Sequence, residues 1–271
     1  MQSPTPLIAF LHIAKTAGTT LHYVLRRTYG TDYVVVTKRY SEGRRFDVAD
    51  LERLRRRYRG LRALGGHSVR PLGDLVEVRP ELRFLTMLRD PAARCASHYA
   101  HNVRRGHTVL TFLQWIESEL NQDYQTRRVA GSADAGEAIR LLDEKFLFVG
   151  RFEEFDESLR LLRYHLPDLA LPIQAAHRNQ NPFRELRDEV LADSRSRDAI
   201  SATHQEDLRL YEYVRTTIWP RQQAEASTIP PPHPSELLAV ARERVSLAKE
   251  RIVLGIPRRL AKAGLKLGKP L

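Results

Sequence analysis

A lysine, three threonines and a glycine fall within six residues of one another at Lys15-Thr16-Ala17-Gly18-Thr19-Thr20. They directly follow the apolar run Leu7–Ile13, LIAFLHI. A buried strand that hands a short turn to a helix brings backbone N–H groups, the positive end of the helix dipole and here a full lysine charge to one point, a seat for a phosphate-like anion. In nucleoside-triphosphate loops of the form G-x-x-x-x-G-K-[ST] a glycine directly precedes the Lys-Ser/Thr pair. Here Lys15-Thr16 comes first and Gly18 follows. That order argues against a standard NTPase loop and suits a phosphosulfate resting on the amides and hydroxyls of Thr16–Thr20, with Lys15 at the bridging oxygen. The purely structural alternative is a glycine-assisted turn with Thr19 as helix N-cap. Capping accounts for a threonine but not for Lys15.

A second cluster lies at Arg89–Ser97, RDPAARCAS. An arginine at the end of an apolar strand and a serine in the following helix can clamp a second phosphate, the guanidinium by forked charge-assisted bonds and the serine by its hydroxyl. Asp90 admits two other readings. It could be a magnesium-holding carboxylate at a strand end, as in phosphoryl-transfer enzymes. It could also be an N-cap with Pro91 in the first helical position, which holds whatever ligand binds. Cys95 reads as a packing residue of the helix, since nothing around it implies an activated thiolate.

HIAKTAGTT and RDPAARCASHYAH together resemble the two donor-binding motifs of sulfotransferases that use 3′-phosphoadenosine 5′-phosphosulfate, in particular the carbohydrate branch typified by heparan sulfate 2-O-sulfotransferase. Asn121-Gln122 with Gln125-Thr126-Arg127 and Gly131, VGRFEEFDESLRLL from Val149, and DLRLYEYV from Asp207 agree with it, so the likeness spans roughly residues 7–218. It implies a P-loop-like α/β fold, sulfuryl transfer to a hydroxyl and no metal requirement. Lys15, Thr16, Ala17, Gly18, Thr19, Thr20, Arg89 and Ser97 would then hold the donor. In that branch a histidine in a Gly-His context at the end of the third strand acts as general base, and His67 after Gly65-Gly66 matches it. A neutral imidazole can take a hydroxyl proton near neutral pH. His98 and His101 are rivals, of which at least one should face away from the site. His12 reads as a buried, hydrogen-bonded residue. The implied reaction is in-line displacement at sulfur, with Lys15, the turn amides and Thr19 supporting charge on the leaving phosphate.

The elements that must position these groups alternate. Strands are expected at Leu7–Ile13, Tyr33–Thr37, Leu61–Gly65, Leu82–Leu88 and Phe146–Val149, and helices at Thr19–Thr28, Val48–Tyr58, from Pro91 and after Glu153. That succession predicts a mostly parallel sheet flanked by helices on both faces. Ligands in such sheets sit beyond the carboxyl ends of the strands, which puts Ala14–Gly18, Gly66-His67 and Arg89-Asp90 on one rim. Gln180–Ile218 is helical in pattern but interrupted. The boundaries expected are a catalytic domain over 1–226, a proline-rich linker over 227–234 and a basic amphipathic helical tail over 235–271.

The chain of 271 residues carries a net charge of +11. Such a balance points to an anionic ligand, polymer or membrane surface. No zinc-finger spacing or RNA-binding signature points to nucleic acid. A single cysteine excludes an intrachain disulfide. The start MQSPTPLIAF lacks a basic n-region and a long apolar run, so a cytoplasmic protein is expected. Arg44, Arg45, Arg70, Arg104, Arg105 and His107 could meet an anionic sugar, and Asn121, Gln122, Arg127 and Arg128, in the stretch that carries the resemblance, are further candidates for acceptor contacts; each could equally be a solvated surface group. The tail holds nine Lys/Arg against three Glu. Its apolar stripe at Leu238, Ala241, Val245, Ala248 and Ile252 suits a homodimer seam or an anionic membrane through 235–256, or packing against its own domain. Two other function classes fit less of the pattern: a magnesium-dependent phosphotransferase using Asp90, and a non-enzymatic polyanion- or membrane-binding module.

Overall fold

The structure, a computed structural model, describes residues 6–36, 45–77, 79, 81–167, 169 and 184–227. Arg44, the linker beyond Ser227 and the tail over 235–271 lie outside the described residues. The elements run β1 (Leu7–Leu11), α1 (Gly18–Tyr29), β2 (Tyr33–Val35), α2 (Val48–Arg57), β3 (Ala63–Gly66), α3 (Asp74–Glu77), β4 (Leu82–Leu88) and α4 (Pro91–Arg104). Then follow α5 (Phe112–Ile116), α6 (Tyr124–Ala130), α7 (Ala135–Lys145), β5 (Phe146–Arg151) and α8 (Phe155–His165). The described chain ends with α9 (Arg184–Ala192), α10 (Ser194–Thr203), α11 (Gln205–Tyr213), a π-type turn at Val214–Ile218, and α12 (Trp219–Ala226).

The strands form one parallel sheet in the order β2-β3-β1-β4-β5. β1 is central, and all five of its residues are buried. This is why LIAFL reads as an unbroken apolar run: a parallel strand covered on both faces has no solvent side to make polar. Ile8 and Phe10 pack with Leu21, Val24 and Leu25 of α1 and Leu159, Leu161 and Leu162 of α8. Leu7 and Ala9 face the other way, onto Leu51 and Leu54 of α2 and Leu75 of α3. Leu11 joins α7 and α11 through Leu141, Leu142 and Leu210. The fold is therefore α/β, with helices on both faces of the sheet. Among the described residues no helix is long and apolar enough to cross a membrane.

Four strands differ from expectation, and β2 is one of them: it ends at Val35, while Thr37 lies outside the described residues. β1 stops at Leu11 because His12 and Ile13 already lead into the turn. β3 begins at Ala63, since Leu61 is still tied back to Tyr58 by its amide at 3.0 Å. β5 continues to Arg151, one strand position opposite Leu88. The breaks in the last helical region fall at Asp193, which caps α10 by accepting from the Ser196 amide at 2.9 Å, and at His204.

Candidate functional site

The carboxyl ends of β1, β3 and β4 open into a cleft of about 750 Å3. From the sheet rim it takes His12, Lys15, Ala17–Thr20, His67 and Arg89; from α4 come Ser97, His98, His101 and Asn102, with His107 beyond it. Phe152 and Phe155 lie along another wall, and α9 supplies Arg184 and Arg187. No carboxylate lines it among the described residues.

The turn after β1 is built by backbone strain. Lys15 and Ala17 both lie in the left-handed region, at φ +71° and +66°. Such a conformation in a residue with a Cβ costs on the order of 1 kcal/mol or more. Alternating it with an ordinary residue turns successive N–H groups toward one side, as in an anion nest. Thr16 locks the turn: its buried hydroxyl donates to the Ile13 carbonyl at 2.9 Å. That corrects the expectation for this residue, because its hydroxyl is spent on the fold and only its backbone remains for a ligand. Thr19 is not the N-cap either. Ala17 holds that position with no side-chain cap, no acidic residue sits in the first turn of α1, and Thr19 stands exposed within the helix, facing the cleft.

Arg89 is 7% exposed. Its Nη1 donates to the Lys15 carbonyl at 3.2 Å, its guanidinium lies 4.1 Å over the Phe152 ring, and its Nε has no hydrogen-bond partner among the described residues. Burial lowers its pKa to about 10, opposed by nearby Glu153 and Asp90. Lys15 is also lowered, first by burial and then by Arg89. Two cations therefore face one cleft that no described carboxylate lines, an arrangement that an anion would relieve. Gln125 fixes the Arg89 backbone by accepting from its N–H at 3.0 Å and donating to its carbonyl at 2.8 Å. Asp207, fully buried, accepts from the Gln125 and Thr126 amides and the Thr126 hydroxyl at 2.7–3.1 Å. The motif around Gln125-Thr126 thus acts by aiming Arg89. Neither role is visible in spacing, since Asp207 is 82 residues from Gln125.

Asp90 caps α4, its carboxylate accepting from the Ala93 amide at 2.8 Å with Pro91 at the helix start. It does not line the cleft, so the magnesium-holding reading loses its ligand. Cys95 is fully buried, and burial pushes its thiol up to about 12.

His67 stands at the end of β3 with its ring open to the cleft. Its Nδ1 lies 2.7 Å from the His12 carbonyl, which can only accept. The proton is therefore on Nδ1, and Nε2 carries the lone pair toward the cleft. Burial lowers its pKa below the ordinary value, against the raising effect of that bond. The rivals do not face away: His98 and His101 both line the cleft, because Ser97, His98 and His101 share one helical face. His98 is wedged against Trp115 and Tyr124, with its pKa lowered to about 3 mainly by burial.

The acceptor candidates fare unevenly. Asn121 and Gln122, in the turn after α5, are consumed there: Asn121 donates to the Trp115 carbonyl at 2.7 Å, and Gln122 to the Ile116 and Glu117 carbonyls at 3.0 and 3.2 Å. Arg70, Arg104 and Arg127 do not line the cleft. Arg128, beside Arg127, does reach the site, its Nη2 donating to the His67 carbonyl. Of the basic loop residues only His107 lines the cleft. Arg184 and Arg187, three apart on α9, escaped the sequence reading; a basic pair on an amphipathic helix carries no signal of its own.

No family model matches the chain, and no curated protein matches it. Among solved structures, a sulfotransferase from Alicyclobacillus acidocaldarius is similar over 74% of this chain and 96% of its own, at 20% identity and a TM-score of 0.42.

Proposed function

We propose that the cleft binds 3′-phosphoadenosine 5′-phosphosulfate and that the protein transfers its sulfuryl group to a hydroxyl of a carbohydrate or glycosylated acceptor. One observation carries this reading. The Lys15 loop and a buried, partly unpartnered Arg89 touch each other in a cleft without described carboxylates, while His67 offers an unprotonated Nε2 to the same space. The residues present suit a doubly anionic nucleotide: a strained, lysine-bearing loop at a helix start for one anionic group, and Arg89 with Ser97 for another.

The donor would supply an activated sulfuryl group. The chain's own part is positioning and charge support. Lys15, the loop amides, Thr19 and Thr20 would hold the phosphosulfate end and oppose the negative charge that grows on the leaving phosphate. Arg89 and Ser97 would hold the 3′-phosphate. His67 would take the acceptor hydroxyl's proton on Nε2, and its Nδ1–H bond to the His12 carbonyl keeps the ring in the basic tautomer. His101, Asn102 and His107 would face the acceptor.

Calorimetric titration with 3′,5′-bisphosphoadenosine and with ATP, each with and without magnesium, tests the donor. The expected result is saturable, magnesium-independent binding of the bisphosphate, with ATP weaker. Preferred, magnesium-dependent ATP binding would make the protein a phosphotransferase. Salt-sensitive polyanion binding without a saturable nucleotide site would make it a binding module. Labelled donor offered to a panel of glycans and glycolipids then identifies the acceptor.

A further inference from the structure

We propose that His12 donates a neutral Nε2–H to the oxyanion seated on the Lys15 loop, and that a hydrogen-bond chain running from Tyr33 through His22 holds it in that tautomer. The identity of the oxyanion rests on the nucleotide-sulfate reading above; the tautomer chain does not.

His12 is the first residue after β1, and its ring is fixed by three direct contacts, one of them extended by a further hydrogen bond. It stacks on His67, with centroids 4.0 Å apart and an interplanar angle of 24°. Its Nδ1 lies 3.1 Å from His22 Nε2. His22 Nδ1 in turn meets the Tyr33 hydroxyl. The last contact is with Gly18, the first residue of α1, where a Cβ would overlap the His12 ring. Glycine here is what lets the imidazole lie against the helix start.

The direction of the chain follows from counting protons. Tyr33 is buried, and its hydroxyl has one hydrogen and no acceptor among the described residues other than His22 Nδ1. If Tyr33 donates, His22 must carry its proton on Nε2 and give it to His12 Nδ1. His12 is then left with its proton on Nε2. The opposite direction strands the Tyr33 hydrogen in a buried site, an arrangement folded proteins avoid. Burial keeps both rings neutral, lowering His12 to about 2 and His22 to about 4, so no extra proton blurs the assignment.

Among the described residues His12 Nε2 has no protein partner, and His12 lines the same cleft as Lys15, Ala17 and Gly18 of the loop. A neutral N–H fixed at that point stabilises negative charge without giving up its proton. His12 thus serves both groups of the site. Its carbonyl sets the tautomer of His67, and its ring adds a directed donor to the anion seat.

The test uses the full chain labelled with ¹⁵N-histidine and two-bond ¹H–¹⁵N correlation, with the His12 signal assigned from its absence in His12→Gln. Expected are Nε2–H tautomers for His12 and His22 and Nδ1–H for His67. Adding 3′,5′-bisphosphoadenosine should shift His12 Nε2–H downfield. Tyr33→Phe, checked for retained fold by circular dichroism, should mix the His12 tautomers and lower kcat about tenfold. His12→Asn should lower kcat about a hundredfold or more, the usual loss on removing one oxyanion donor. His12→Gln, whose amide can reach the Nε2 position, should recover most of that loss, with the donor KM little changed in both. An Nδ1–H tautomer at His12, or one indifferent to Tyr33→Phe, overturns the proposal. If His12 shows the Nε2–H form but the bisphosphate neither binds nor shifts it, the nucleotide reading fails while the chain stands.

Discussion

The two ends of the cleft are built by different means. At the sheet rim the backbone and His67 are held by the fold: buried Thr16 locks the loop, buried Gln125 and Asp207 grip the Arg89 segment, and His12 and Arg128 hold His67. At the α4 end, the side chains of His101, Asn102 and His107 make no hydrogen bond to a described residue. In the sequence that follows, Val103, Val109, Leu110 and Leu113 make up most of the large apolar side chains exposed among the described residues. A rigid end suits a group that never varies, because preorganised donors need no rearrangement as charge develops. The open end suits a partner whose shape the protein must accommodate.

The largest expected effect breaks the rigid end at its base. His67→Ala should lower kcat by about a hundred- to ten-thousand-fold, the range for loss of a general base, and leave bisphosphoadenosine affinity unchanged. An equal loss in nucleotide affinity would mean that His67 shapes the anion seat instead. Next comes Arg89→Ala. Charge-assisted hydrogen bonds contribute about 1.5–3 kcal/mol, so affinity for the 3′-phosphorylated nucleotide should fall by about ten- to a hundredfold. The 3′-dephospho analogue should lose much less; equal losses would remove Arg89 from the 3′-phosphate.

How much of this division could be read from the sequence follows from what each end is made of. β1, the loop, β3 and β4 are contiguous segments whose apolar runs and Lys-Thr-Ala-Gly turn are local signals, so Lys15, Gly18, His67 and Arg89 could be assigned to one rim, with Ser97 in the helix that follows. The supports could not. Gln125 and Asp207 meet across 82 positions, and the His22–Tyr33 contact depends on how α1 packs over β2. Thr16 looked like a ligand because a threonine that locks a turn and one that binds an anion have the same sequence. Asn121 and Gln122 misled for the same reason: amides that close a turn carry no mark distinguishing them from amides that contact a sugar.

Acidity sharpens the contrast with a smaller effect, confined to the rigid end. His12 and His22 are neutral in the folded protein to about 2 and 4, whereas in the unfolded chain they titrate near 6.5. Between those values the unfolded state binds more protons, so stability falls as pH drops below 6.5, by at most about 1.4 kcal/mol per pH unit for each ring. Urea midpoints at pH 7 and pH 5 should differ accordingly, and His22→Phe should reduce the difference. For turnover the sign is the same: in its proposed role as base His67 must be unprotonated, and burial holds its pKa below the ordinary 6.5. The acid limb of kcat/KM should therefore fall below that value. A limb above it would mean that another group limits the rate.

The smallest effects should come from the open end. His101→Ala and His107→Ala remove side chains that support nothing else in the described structure, so neither should cost measurable stability or nucleotide affinity. Each should raise the acceptor KM by a few-fold, the size of one exposed hydrogen bond at about 0.5–1.5 kcal/mol. The informative measurement is the ratio of kcat/KM for two acceptors rather than either value alone. If the α4 end adapts to the acceptor, the ratio changes while the donor KM stays fixed. If both acceptors lose equally, or the donor KM moves as well, these histidines belong with the rim and the division of the cleft into a fixed and an adaptable half is wrong.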